Sequence, residues 1–117
     1  MLAVIFEVEP AAGSTDRYLE LAAALRPALD DIDGFISIER FASLTHTGRI
    51  LSLSFWRDEE ALSNWRMEEQ HRAAQNEGRS TVFTAYRLRI ATVVRDYGMH
   101  DRAEAPPDSR AHHEPCS

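Results

Sequence analysis

Hydrophobic and polar positions alternate with period two at the start of the chain. Leu2, Val4, Phe6 and Val8 stand against Ala3, Ile5, Glu7 and Glu9, and Pro10 ends the run. That spacing predicts a strand. After the turn "AAGS" the period becomes helical. Tyr18, Leu21, Ala22, Leu25, Ala28, Leu29 and Ile32 make one apolar face over Asp16 to Asp31, with Ser14 or Thr15 placed to cap it. Pro27 falls late in this helix, where it would kink or shorten the last turn. Asp33-Gly34 breaks it. "FISIERFAS" alternates again, "THTG" at Thr45 to Gly48 reads as a hairpin turn, and "RILSLSFW" supplies an antiparallel partner. "RDEEALSNWRMEEQHRAAQNEGR" is helical. Asp58 suits the N-cap, Glu59 and Glu60 the positive end of the macrodipole, and Gly78 the C-terminal cap. Its stripe of Ala61, Leu62 and Trp65 falters at Met67 to Glu69, where a bend is expected. "YRLRIATVVRDYG" alternates as the last strand.

The order β-α-β-β-α-β is the α+β, ferredoxin-like arrangement, an antiparallel sheet with its helices on one face. Residues 1–98 make up this domain. From Met99 to Ser117 apolar residues are few and three prolines occur, which predicts a disordered tail. On the helix-free face the alternation is read as Ile5, Phe35, Phe41, Ile50, Trp56 and Val93, mixed with Glu7, Glu39, Arg87 and Arg89. Such a face is too apolar to stay wet. A symmetric copy would cover it, so a homodimer through the sheet face is expected.

At 117 residues the chain is long enough for one domain with a real core. Its net charge of −6 opposes binding to nucleic acid or an anionic membrane, since phosphate contacts need clustered cations. The apolar start lacks a basic leader, and no stretch reaches the ~18 apolar residues of a membrane span. The one cysteine, Cys116, allows no intrachain disulfide. A cytoplasmic protein is the expectation. His100, His112, His113 and Cys116 invite a metal reading, but "HHEPC" lacks the ligand spacing of a tetrahedral site, so no metal is expected. No Gly-rich phosphate loop or flavin fingerprint appears, so no organic cofactor has a visible dock.

"LSFWRDEEALSNWR", "HRAAQNEGR" and "YRLRIATVVRDYG" resemble, in that order, the third strand, the helical segment and the last strand of the antibiotic biosynthesis monooxygenase (ABM) family, in the dimeric α/β-barrel superfamily. The likeness covers residues 2 to 97. It implies a dimer of ferredoxin-like protomers, each with a pocket between helices and sheet. Some members oxygenate aromatic polyketide quinols without metal or flavin, and others cleave haem. The haem-cleaving pattern needs an Asn on the first strand, a helix Trp, and a His ten residues after it. Here Phe6 holds the strand position and Gln75 the ligand position after Trp65, which argues against haem cleavage. The polyketide branch uses a helix Trp, a polar aromatic about six residues on, and an Arg near the last strand. Those become Trp65, His71 and Arg87. Its Asn one turn before the Trp falls on Ala61, and Asn64 lies about 100° round the helix.

Oxygenation of this kind begins with proton removal, which leaves an anion electron-rich enough to reduce O₂. Trp65 could stack on the substrate, His71 could take the proton, and Arg87 or Arg89 could pair with the enolate oxygen if either faces the pocket. Asn64 and Gln75 could bind carbonyl or hydroxyl groups, with Phe6 as wall. The expectation is therefore a cofactor-independent monooxygenase for an aromatic or quinoid molecule, Trp65 and His71 being catalytic. A competing reading makes Trp65 a core residue, His71 a solvated one, and the chain a non-catalytic dimeric small-molecule-binding or stress-response module.

Overall fold

The computed structural model describes residues 1–75 and 83–109, with residues 70–75 described as helical backbone only. The elements are β1 (Leu2–Pro10), α1 (Thr15–Asp30), β2 (Phe35–Ala42), β3 (Ile50–Trp56), α2 (Glu59–Gln75) and β4 (Phe83–Thr92). The four strands form one antiparallel sheet in the order β2-β3-β1-β4. This is the ferredoxin-like α+β topology that the alternating periods predict.

Direct partners in an antiparallel ladder share a face, so the register sorts every strand residue. On one face the transverse rows are Arg40–Ser52–Phe6–Leu88, Ile38–Ser54–Val4–Ile90 and Phe35–Trp56–Leu2–Thr92. Both helices bury against this face. Val8, Ile50 and Tyr18 make one core cluster, and Leu29, Trp56, Ala61 and Leu62 make the other. On the opposite face the rows are Glu39–Leu53–Ile5–Arg89, Phe41–Leu51–Glu7–Arg87 and Ser37–Phe55–Ala3–Ala91.

That sorting corrects the sequence reading of the helix-free face. Ile50 and Trp56 are buried under the helices, and Leu51, Leu53 and Phe55 take the outer side. Alternation alone misleads, because large apolar residues stand on both sides of β3. Ser52 and Ser54, the polar positions, are the buried ones. Their small size makes room for indoles, and Ser54 Oγ accepts the Trp56 indole N–H at 2.9 Å. Phe35 moves inward for a different reason. A bulge between Phe35 and Ser37 inserts one residue, so Phe35 and Ile38 share the helix face while Ile36 is left exposed.

The helices start and stop for local reasons. Ser14 precedes α1 with no side-chain cap; the Tyr18 N–H donates to its carbonyl at 2.9 Å. Pro27 lies inside α1, which still runs to Asp30. Asp58 caps α2 as expected, its Oδ1 accepting the Ala61 N–H at 3.0 Å. That backbone bond, then the Arg57 guanidinium, holds the Asp58 carboxyl below its ordinary range. α2 continues through Met67 to Glu69 without interruption. Gly78 lies outside the described residues. Gly34 seats α2 on the sheet: its φ is +93°, and its carbonyl accepts the Arg57 N–H at 2.7 Å.

The segment after β4 is more ordered than its composition suggests. Arg102 donates to the Gly98 carbonyl at 3.0 Å and to Ser109 Oγ at 3.1 Å, and its guanidinium lies 5.2 Å from the Tyr97 ring centroid. Ala105 is buried. One arginine thus folds residues 97–109 on themselves, which corrects the expectation of disorder for 99–109. Residues 110–117, with His112, His113 and Cys116, lie outside the described residues.

Candidate functional site

The helix face of the sheet is not covered evenly. Tyr86, Leu88 and Ile90 point to the same side as the helices, yet they are 66%, 51% and 44% exposed. Beside them on β1, Phe6 and Val4 are half-buried. An open apolar strip therefore runs along β1 and β4 where a closed helical layer would bury it. At its upper end Phe6 meets Phe83 edge-on at 6.0 Å and Tyr86 at 5.6 Å. A depression of about 380 Å³ lies there, lined by Phe83, Thr84, Ala85 and Tyr86.

Trp65 lies on the same side of the sheet as this strip. Its half-buried indole lies 6.5 Å from that of Trp56, tilted by 32°. It packs on the cluster that also receives Leu2 and Val4, and the β4 partner of Val4 is Ile90. The residue is thus a core contact that keeps part of its ring uncovered. Dispersion against Trp56 fixes the indole plane, and the uncovered part remains available for stacking.

The predicted site residues divide by location. Phe6 and Trp65 lie on the helix side of the sheet. Asn64 is exposed on α2. Arg87 pairs in the ladder with Glu7 and so belongs to the helix-free face, where the Glu7–Arg89 ion pair of 3.2 Å also sits. The sheet separates Arg87 from Trp65, so this protomer cannot bring the two together around one substrate. Odd-numbered β4 residues point away from the helices, and one position decides the matter. The side chains of His71 and Gln75 lie outside the described residues; their backbone occupies the last turns of α2. Sequence reasoning missed Tyr86, Leu88 and Ile90 as strip residues. Their alternation was visible, but only the placement of α2 reveals that they stay open. Among the described residues no group of His, Cys, Asp or Glu could hold a metal, and no helix is long and apolar enough to cross a membrane.

A four-stranded antiparallel sheet with both helices on one face defines an α+β protein of ferredoxin-like topology. The antibiotic biosynthesis monooxygenase family model matches residues 1–77, and the chain belongs to that family. It is 50% identical over 94 residues to "Jasmonate monooxygenase ABM" of Pyricularia oryzae, covering 80% of this chain and 44% of that protein. The chain therefore spans less than half the length of that relative. It is 32% identical over 93 residues to the uncharacterized protein YqjZ of Bacillus subtilis, covering 80% and 79%. In fold it is similar to the heme-degrader MhuD of Mycobacterium tuberculosis, with TM-score 0.66, 21% identity, and 84% and 100% of the two chains covered. It is also similar to a putative antibiotic biosynthesis monooxygenase of Deinococcus radiodurans, with TM-score 0.63, 12% identity, and coverage of 84% and 97%.

Proposed function

We propose that the chain is a cofactor-independent monooxygenase that takes a small, flat, largely apolar molecule onto the strip formed by Phe6, Leu88 and Ile90 beside Trp65. The observation that carries this reading is the exposure of Leu88 and Ile90 on the helix side of the sheet. Open apolar surface beside a fixed indole suits an aromatic or quinoid guest. Trp65 stacks on it, and His71 accepts the proton whose loss makes the substrate a reductant for O₂. The methylene of an anthrone, set between two aromatic rings and acidified by the carbonyl across the central ring, then becomes C=O while the other oxygen atom leaves as water, so no external electron donor is consumed. Asn64 and Gln75 orient polar groups of the guest. The protein works as a homodimer through its helix-free sheet face, where Ile5, Leu51, Leu53 and Phe55 are half-exposed, and resides in the cytoplasm.

The relative named for jasmonate favours a second substrate class for the same strip, a cyclic ketone carrying an alkyl chain and a carboxylate. Hydroxylating an unactivated carbon of such a molecule needs two electrons from an added donor, so the two readings separate in one assay. O₂ uptake is measured with anthrone and hydroquinone probes, and with a jasmonate-type ketone in the presence and absence of a reductant. Donor-free uptake with the quinols, lost in His71→Ala and reduced in Trp65→Ala, supports the first reading. Unchanged turnover in His71→Ala removes that residue from the mechanism. Thermal stabilisation by these ligands with no O₂ uptake under any condition assigns the non-catalytic module. A shifted Soret band on haem titration redirects the proposal to haem.

A further inference from the structure

On the helix side of the sheet, the rows from Phe35–Trp56–Leu2–Thr92 to Ala42–Ile50–Val8–Tyr86 hold a single charged side chain, Arg40. It stands in the row Arg40–Ser52–Phe6–Leu88, which ends on the open strip. Arg40 is half-buried, and among the described residues no carboxylate pairs with it. Its Nε donates to the Tyr18 hydroxyl at 3.3 Å, and its guanidinium carbon lies 5.9 Å from the Tyr18 ring centroid. Tyr18 is only 5% exposed and belongs to the cluster on which Phe6 packs. Its ring meets that of Phe83, which lines the depression, at 5.5 Å.

A guanidinium drawn out of water loses hydration that an anion returns far better than a neutral hydroxyl does. Among the described residues Nε is the one Arg40 nitrogen with a hydrogen-bond acceptor. The Nη nitrogens therefore keep their planar fork of N–H donors, whose shape matches the two oxygens of a carboxylate. Because the Tyr18 oxygen accepts from Nε, its own proton is left to donate to the same anion. Ser52 is the ladder partner of both Arg40 and Phe6, and it adds a small buried hydroxyl between the cation and the strip.

We propose that Arg40, with the Tyr18 and Ser52 hydroxyls, is a carboxylate-binding subsite, and that the guest is a flat acid whose ring lies on Phe6 and Leu88 while its carboxylate meets the guanidinium. The inference rests on the strip reading above and adds the guest's charge and its direction, across the strands. Neighbouring strands are about 4.8 Å apart, so the Phe6 and Arg40 backbones are separated by roughly 10 Å. The Arg40 side chain leans inward to Tyr18 over part of that span. A carboxylate joined to the ring system directly or by a short chain closes the rest. Arg40 also gives the helix side the cation that Arg87, on the opposite face, cannot supply.

Two matched probes test the subsite on the full chain: anthraquinone-2-carboxylate and its neutral carboxamide, with binding followed by tryptophan quenching and by calorimetry at neutral pH. The acid should bind about tenfold tighter than the amide, the step expected of hydrogen bonds to a charged group. Arg40→Gln and Arg40→Met should erase that preference by weakening the acid alone. Arg40→Lys, which keeps the charge and loses the fork, should retain part of it, and Tyr18→Phe should reduce it severalfold. Circular dichroism shows whether each variant is folded; if the neutral variants are not, Arg40→Lys and Tyr18→Phe decide. Equal binding of acid and amide to wild type, or a preference that survives in folded Arg40→Gln, overturns the subsite and leaves the strip reading standing. An Arg40 that merely covers Tyr18 would lower stability on substitution without moving the preference. A second pair, benzoate against benzamide, is read by thermal stabilisation and needs no ring on the strip. If neither anthraquinone binds, the strip reading fails. Stabilisation by benzoate that is lost in Arg40→Gln then still supports the subsite, and no stabilisation by benzoate overturns it too.

Discussion

Gly34 is the most constrained position outside the core, and its replacement by alanine separates two costs that usually arrive together. Gly13, Gly34 and Gly48 all have positive φ, at +78°, +93° and +89°. An alanine at any of them loses about 1–2 kcal/mol to backbone strain. At Gly13 and Gly48 an added Cβ meets nothing within 4 Å. At Gly34 it would lie 2.7 Å from the Ala61 Cβ and 3.3 Å from the Arg57 Cβ. Ala61 is fully buried in the first turns of α2 and cannot yield without moving the helix. Overpacking of this kind adds roughly 1–3 kcal/mol, so Gly34→Ala should cost roughly 2–5 kcal/mol in all. Ala61→Gly alone costs about 1 kcal/mol in helix propensity plus ~0.8 kcal/mol for the lost methyl. In the double variant the clash with Ala61 is gone while the φ penalty remains. The combined loss should therefore fall short of the sum by about 1–3 kcal/mol. Urea unfolding followed by tryptophan fluorescence, at one protein concentration, reads wild type, the two single variants, the double variant and Gly13→Ala. If Gly34→Ala costs no more than Gly13→Ala, or if the double variant is additive, α2 is not seated by this contact.

Three shorter expectations follow from the same geometry. Ser54→Ala strands the buried Trp56 indole N–H and should cost about 1–3 kcal/mol in chemical denaturation, and the loss should shrink when Trp56→Phe is already present. The Asp58 carboxyl has a lowered folded pKa, so its stabilising effect is complete above its unfolded pKa of about 3.9 and is lost as pH falls through the folded value. Stability-against-pH curves of wild type and Asp58→Ala should accordingly differ at neutral pH and converge in acid. Arg102→Ala should open the 97–109 fold to limited proteolysis while leaving the urea midpoint of the sheet unchanged.

The period of hydrophobic positions was enough to find all six elements and their antiparallel sheet, because each strand has a side to hide and each helix a stripe. It failed where both sides of a strand are apolar. On β3, Ile50 and Trp56 compete with Leu51, Leu53 and Phe55, and nothing local ranks them. The serines decide it, in a direction opposite to intuition, because small polar side chains fit beneath packed helices when an indole N–H satisfies one of them. β2 failed by a single residue, since a bulge at Ile36 shifts parity and no composition signal announces it. In 97–109, Arg102 gathers polar groups that composition alone counts as solvated.

The candidate site was legible in residue type more than in placement. Trp65 and Phe6 lie on the helix side of the sheet, as the period of their stripes predicts. The family pattern asks for an Arg near the last strand and so points to Arg87, but Arg87 lies on the opposite face of β4 from Tyr86 and Leu88. Its ladder partner Glu7 places it on the helix-free face, away from Trp65. If a cation does steady the anion that reduces O₂ on the Trp65 side of one protomer, it comes from another element. Arg87→Ala should then leave turnover of a quinol probe unchanged when the protein is held dimeric at high concentration. A proportional loss of kcat under those conditions would refute the separation of the two faces.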